Sequence, residues 1–304
     1  MENQSPVLPE SIFPPEIRTI AVVAPAGPPP ADRLNAGIAA LETIGCRVVA
    51  TPTVFSRGDS SYLAGSLEAR LEDFNRAIRD PETDLILCAR GGFGSVHLLP
   101  GLDWETLARR NLPVMGYSDI TALHGAMLAR HAGVAVAGPS AVMMPEALAC
   151  AATAAGLRAA FHPESGRALL PQPLAAAGNT GTPARGYPFA ANLAVLVTLC
   201  GTPFQPDLTG RILILEDINE PLYKIDRYLT QLLMAGMLEA AAALCFGNFS
   251  GVPPTAELIH LEEDFARKTG KPTYRNFPFG HALPMATVNA ARLWQLADGV
   301  VTAV

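Results

Sequence analysis

The stretch VMGYSDITALHG, residues 114–125, starts as an apolar run, breaks at Gly116-Tyr117-Ser118-Asp119 and passes at once into residues with helical spacing. A strand that feeds a helix through so short a turn is the building unit of an α/β fold. The residue on the turn is a serine, and two readings of Ser118 are open. Serine is a favoured helix N-cap, because its hydroxyl accepts a hydrogen bond from a free amide of the first turn. On a tight strand-to-helix turn the same hydroxyl is exposed beside backbone N–H groups that can face a bound carbonyl, as in a nucleophile elbow. The usual elbow pattern G-x-S-x-G is not met, since Ile120 stands where the second glycine belongs.

The alternation extends outward from this point. RTIAVVAPAG (18–27) is an apolar run closed by Pro and Gly, and ADRLNAGIAALETIG (31–45) has helical spacing with a glycine stop. The apolar CRVVATP, the amphipathic SLEARLEDFNRAIRDP and the apolar DLILCAR follow, and VAVAGPS comes after the helix DITALHGAMLARHAG. Four or more βα units at this spacing predict a parallel sheet with helices on both faces. Between 162 and 188, HPESGRALLPQPLAAAGNTGTPARGYP is dense in Pro, Gly and small residues and has no helical period. It reads as an interdomain crossing. The expected organisation is an α/β domain over 1–162, a linker over 163–187 and a smaller, mixed α/β domain over 188–304. In the last of these, AANLAVLVTLCG and PLYKIDRYLTQLLMAGMLEAAAAL read as helices and RILILED and CFGNFSG as strands. A further helix and a hairpin-like RLWQLADGVVTAV complete the chain.

The bulk numbers narrow the classes. With 304 residues, 49% of them hydrophobic and 16% charged, the chain can bury a substantial core. A net charge of −6 offers no attraction for nucleic acid or an anionic membrane, so neither is an expected partner. No apolar run is long enough for a membrane span. The N-terminal MENQSPVLPESIFPPEIR is acidic and Pro-rich, unlike a signal peptide. Five cysteines lie far apart with no CxxC and no His/Cys cluster. That predicts reduced thiols in a cytoplasmic protein, with no metal site.

Active sites of open parallel sheets sit at the carboxyl ends of strands, and three polar groups occupy such ends. CARGGFGS (88–95) leaves one strand through glycines and MGYSD leaves the next, so the two loops are expected to be neighbours. Without Lys-Ser/Thr the glycine loop is not a P-loop; its amides beside Ser118 suit an oxyanion hole. LILED (213–217) ends the clearest strand of the second half, where Glu216 or Asp217 could orient a histidine or simply cap the next helix. Among six histidines, His124 lies on the helix after Ser118 but faces away from it, and His281 sits in the loop FPFGHALP.

Taken together these residues resemble the LD-carboxypeptidase family of serine peptidases, which includes murein tetrapeptide carboxypeptidases and microcin C immunity peptidases. The likeness runs from IAVVAPAGP to FGH. It is carried by RGGFGSVHLLPGLDW, GYSDITALH and GRILILEDINEPLYKIDRYLTQL, in that order. The resemblance implies Ser118 as nucleophile, His281 as general base and Glu216 as the acid that orients it, with the backbone N–H groups of Gly92 and Asp119 as oxyanion hole. It implies a cofactor-free cytoplasmic homodimer that cuts the L,D-peptide bond before the terminal D-Ala of murein tetrapeptides, in a groove between domains, during peptidoglycan recycling. The alternatives are a microcin-immunity-like peptidase acting on peptidyl or aminoacyl nucleotides, which would stack an aromatic on the base, and a non-catalytic binder of peptidoglycan fragments. Arg90 and Arg227 are candidates for a substrate carboxylate, or equally structural ion-pair partners. Two departures stand out: Ala190-Ala191 replaces the family's Gly-Gly, which predicts a changed groove wall or backbone path, and the tail ALPMATVNAARLWQL after His281 lacks the expected Pro-Gly features.

Overall fold

Short runs of Val, Ile, Leu and Ala form the five parallel strands β1 (Thr19–Val23), β2 (Arg47–Ala50), β3 (Leu85–Cys88), β4 (Pro113–Gly116) and β5 (Val134–Ala137). The structure is a computed structural model that describes residues 11–56, 60–162, 164–253 and 255–304. The first ten residues of the segment read as unlike a signal peptide lie outside the described residues. The strands lie in the order β5-β4-β3-β1-β2. Both faces of the sheet are buried: Ala21 and Val23 of β1 point into one core, Ile20 and Val22 into the other. A strand buried on both faces cannot alternate polar with apolar residues, which is why these runs are continuous. Connecting helices α1 (Ala31–Thr43), α2 (Leu67–Arg79), α3 (Trp104–Arg110), α4 (Thr121–Arg130), α5 (Met144–Ala149) and α6 (Ala151–Phe161) supply the cover. As expected from the sequence, β3 pairs with β4, with Ile86 opposite Val114, so the glycine loop and the Ser118 turn leave adjacent strand ends.

The second half builds strands β6 (Ala175–Gly178), β7 (Ala184–Gly186), β8 (Pro188–Asn192), β9 (Ile212–Ile218), β10 (Ala243–Ser250) and β11 (Thr273–Arg275). A five-stranded sheet runs β6-β11-β10-β9-β8, parallel except for β6. Helices α7 (Leu193–Thr198), α8 (Leu222–Met234), α9 (Met237–Ala240) and α10 (Ala256–Thr269) accompany it. The chain ends in β12 (Val288–Asn289), β13 (Trp294–Ala297) and β14 (Val300–Ala303), the last two joined to β7 in a small antiparallel sheet.

Four details differ from the sequence reading, each for a tertiary reason. The segment 163–187 holds β6 and β7, which pair with β11 and β13, so much of the expected crossing is sheet edge. The helix expected over AANLAVLVTLCG begins only at Leu193: Ala190 and Ala191 pair in parallel with Ile214 and Leu215, and sheet pairing overrides alanine's helix preference. The long helix over 221–244 breaks at Gly236, whose φ of 72° no helix accommodates, and β10 starts at Ala243. Finally, β12 leaves the second half and pairs with β5 of the first sheet, Val288 opposite Ala137. Among the described residues no helix is long and apolar enough to cross a membrane.

Candidate active site

The turn after β4 is unusual at Ser118. Tyr117 is fully extended, and Ser118 then takes φ of 64°, a left-handed conformation that an L-residue with a side chain adopts at a cost of about 1–3 kcal/mol. Gly116 makes the turn possible, because a Cβ there would stand 2.9 Å from Ile120 Cγ1 and 3.0 Å from Cys88 Cβ. The space that G-x-S-x-G obtains from a second glycine is thus left for the Ile120 side chain. The helix-cap reading of Ser118 does not hold. No side chain caps this turn or the start of α4, and Ser118 Oγ instead lies 3.1 Å from His281 Nε2.

His281 reaches Ser118 from the second half of the chain. Its Nδ1 lies 2.9 Å from Glu216 Oε2. A carboxylate can only accept, so Nδ1 carries the proton and Nε2 is left to accept from the Ser118 hydroxyl. Tyr117 packs on the imidazole with ring centroids 4.9 Å apart, and burial pushes the Tyr117 hydroxyl up to about 12. Glu216, at the end of β9, is 0% exposed. Burial pushes its carboxyl up, while hydrogen bonds from His281 and Asn192 pull the other way. Gly280, with φ of 138°, lets the loop pass so close that a Cβ would sit 3.1 Å from Glu216 Oε2.

The neighbouring acids divide two tasks that the sequence left open. Asp217 is the helix anchor: its Oδ2 accepts from the Ala194 amide at the start of α7 at 2.9 Å, and its Oδ1 accepts from Asn192 Nδ2 at 3.0 Å. Glu216 is free to face the histidine. Asn192, which sequence reasoning missed, joins them. Its Nδ2 donates to Glu216 Oε1 at 3.1 Å, its Oδ1 accepts from Val195 N at 3.1 Å, and its own amide donates to Thr121 Oγ1 at 2.9 Å. The available signal was a single polar residue closing the apolar PFAA run, set in register with Glu216 by the β8–β9 pairing.

The glycine loop closes on the turn. Asp119 Oδ2 accepts from the Ser95 amide at 2.9 Å, and the Ser95 hydroxyl donates to the Asp119 carbonyl at 2.7 Å. The buried Arg70 adds a clamp, its Nη1 donating to the Gly94 carbonyl at 2.9 Å. Gly91 lies so near that a Cβ would meet Ser118 Cβ at 2.9 Å and Oγ at 3.1 Å. Neither the Gly92 nor the Asp119 amide donates to a protein acceptor among the described residues. Gly92 lines a cavity of about 390 Å³ whose walls also include Ser118, His281, Tyr117, Gly91 and Arg90, and Asp119 follows Ser118 directly in the chain.

Other candidates fall elsewhere. Arg227 lies on the exposed side of α8 over the Tyr223 ring, 5.5 Å from its centroid, and does not line this cavity. His124 is buried against the Val114 carbonyl at 3.0 Å, and burial lowers it to about 4. Trp104 donates to the Leu99 carbonyl and Trp294 stacks on Phe277 in the core; neither reaches the cavity. Ala190 and Ala191 point to opposite sides of β8 into the two cores of the second sheet. The expected change of groove wall is therefore absent, and the added methyls are core packing.

Residues 20–138 match the LD-carboxypeptidase N-terminal domain, and residues 185–294 match the LD-carboxypeptidase C-terminal domain. A Streptomyces coelicolor protein, named provisionally as a carboxypeptidase, is 38% identical over 278 residues, 88% of this chain and 87% of the relative. The murein tetrapeptide carboxypeptidase of Pseudomonas aeruginosa is 33% identical over 280 residues, 86% of this chain and 87% of that protein. The crystal structure of muramoyltetrapeptide carboxypeptidase from Oxalobacter formigenes superposes with a TM-score of 0.81 at 26% identity, covering 93% of this chain and 97% of that one. An MccF-like protein from Bacillus anthracis superposes with a TM-score of 0.84, covering 94% of this chain and 96% of the other; at 21% identity it speaks for the fold alone.

Proposed function

The chain belongs to the LD-carboxypeptidase family, a serine carboxypeptidase by kind, and from that premise we propose that it removes the terminal D-Ala of murein tetrapeptides through a Ser118-His281-Glu216 triad. The observation that carries the reading is the unbroken hydrogen-bond series from Ser118 Oγ through His281 to the buried Glu216, opening on a cavity. Ser118 Oγ attacks the carbonyl carbon of the bond between meso-diaminopimelate and D-Ala while His281 Nε2 takes its proton. Glu216 holds the imidazole in the useful tautomer and steadies the imidazolium. The Gly92 and Asp119 amides donate to the oxyanion. His281 then protonates the leaving D-Ala amine, and a water activated by the same imidazole releases the acyl group.

The test is mass spectrometry of the protein incubated with the murein tetrapeptide, with Ser118→Ala in parallel. Loss of one D-Ala by the wild type alone supports the reading, and no loss by either overturns the substrate. Action on aminoacyl or peptidyl nucleotides would need an aromatic to stack on the base; neither tryptophan is available for that, while Phe93 and Tyr187 are exposed. A pure binder is disfavoured because a strained serine on a histidine serves no need of binding. The family likeness also supports a cytoplasmic homodimer without cofactor that works in peptidoglycan recycling.

Gly91→Ala tests the close approach of the loop. The new methyl would overlap Ser118 Cβ at 2.9 Å, and the displacement is expected to lower kcat by about 10²-fold. Kinetics alongside a thermal melt check this: a wild-type kcat would mean that the loop yields freely.

A further inference from the structure

One wall of the Ser118 cavity takes no part in the steps above. Arg33, in the first turn of α1, Arg90, at the start of the glycine loop, and Ser140, just beyond β5, all line it. No carboxylate does, although the chain carries a net charge of −6. Ser140 is 1% exposed, and its hydroxyl has no hydrogen-bond partner among the described residues. That hydroxyl is not one of the fully buried polar atoms left without a partner; it opens onto the cavity and can donate to a ligand oxygen there.

The two guanidiniums are held from behind. Arg33 Nη2 lies 2.7 Å from Glu146 Oε1, and Glu146 is not part of the cavity wall. Arg90 Nη1 donates to the Pro28 carbonyl at 3.2 Å. Each contact uses one of five N–H donors, which leaves further donors for the forked recognition that suits a carboxylate. Both charges reach the Ser118 turn, since each favours the ionised form of Tyr117. Val142 and Met143 add an apolar patch to the same wall.

We propose that Arg33, Arg90 and Ser140 form the subsite for the terminal carboxylate of the substrate, with the small side chain of its last residue against Val142 and Met143. The proposal rests on the hydrolysis put forward above and deepens it, because it accounts for cleavage at the chain end. In the last residue the carboxylate lies only two bonds from the scissile nitrogen, so a site beside Ser118 that demands it excludes internal bonds. An internal residue would set a neutral amide against two arginines and drive its continuing chain into the Ser140 wall.

The experiment compares the murein tetrapeptide as free acid and as C-terminal amide in the wild type, Arg33→Ala and Ser140→Ala. Arg33 is exposed at the helix start, so its truncation leaves the core intact. The wild type is expected to prefer the acid strongly, and Arg33→Ala to lower that preference in kcat/KM by about 10²-fold. Ser140→Ala is expected to lower it by about 10-fold. An acid-to-amide preference unchanged in Arg33→Ala overturns the proposal. If the wild type cleaves neither tetrapeptide, the proposed hydrolysis fails on its own, and binding of N-acetyl-D-alanine, followed by saturation-transfer NMR, decides the subsite separately. Binding by the wild type that is lost in Arg33→Ala supports it; equal binding by both proteins, or by neither, overturns it.

Discussion

Replacing Ser118 with alanine is expected to lower kcat/KM for the murein tetrapeptide by about 10⁴-fold or more, with the fold unchanged. Alanine removes only Oγ, whose one side-chain partner among the described residues is His281 Nε2 at 3.1 Å on the cavity wall. Ser118→Gly makes the sharper experiment. It should be equally inactive, and it releases the cost of holding φ at 64°, so the melting temperature should rise, by a gain of about 1 kcal/mol after the greater freedom of an unfolded glycine is subtracted. An inactive but stabilised Ser118→Gly would identify the turn as a conformation kept for chemistry. Turnover comparable to the wild type in either variant would remove Ser118 from the mechanism.

The second large effect is expected at Glu216. Glu216→Gln keeps size and polarity, yet kcat should fall by about 10⁴-fold. Asn192 Nδ2 donates to one oxygen and His281 Nδ1 faces the other. A glutamine can accept from only one of them. If its amide NH₂ turns to His281, the ring must carry its proton on Nε2, and the Ser118 hydroxyl loses its acceptor. If it turns to Asn192, two NH₂ groups face each other in a fully buried site. Steady-state kinetics check the loss, with Asp217→Asn as the companion variant. Equal losses in the two would mean that distortion of β9, rather than the tautomer of His281, is being measured.

Much of this was legible in the chain itself, and the boundary has a physical basis. The βα alternation could be read because strands buried on both faces must be continuous apolar runs, as at Leu85–Cys88. The turn at Ser118 could be read because a strand, a glycine and a helix meet within a few residues. That Glu216 and His281 belong with Ser118 came from resemblance, since they lie 98 and 163 positions away and nothing local links them. Tertiary geometry alone made the remaining assignments. Asn192 acquires its partners from the register of β8 on β9. The separate tasks of Glu216 and Asp217 follow from the alternate sides of one strand. Alanines 190 and 191 look helical because propensity is local, and they are strand because β9 lies beside them. Arg33 and Ser140 sit 107 positions apart and meet only across a cavity.

The two-residue strand β12 joins β5 a few residues after His281. Val134–Ala137 therefore has a hydrogen-bonded neighbour on its outer side, borrowed from the far half of the chain. An isolated first half would present that apolar strand as an open edge, the kind of surface that recruits other chains into aggregates. The two halves are consequently not interchangeable modules. A recombinant shuffle that swapped the second half for that of a relative would have to carry a matching closing strand, or it would yield insoluble protein before catalysis could be assayed.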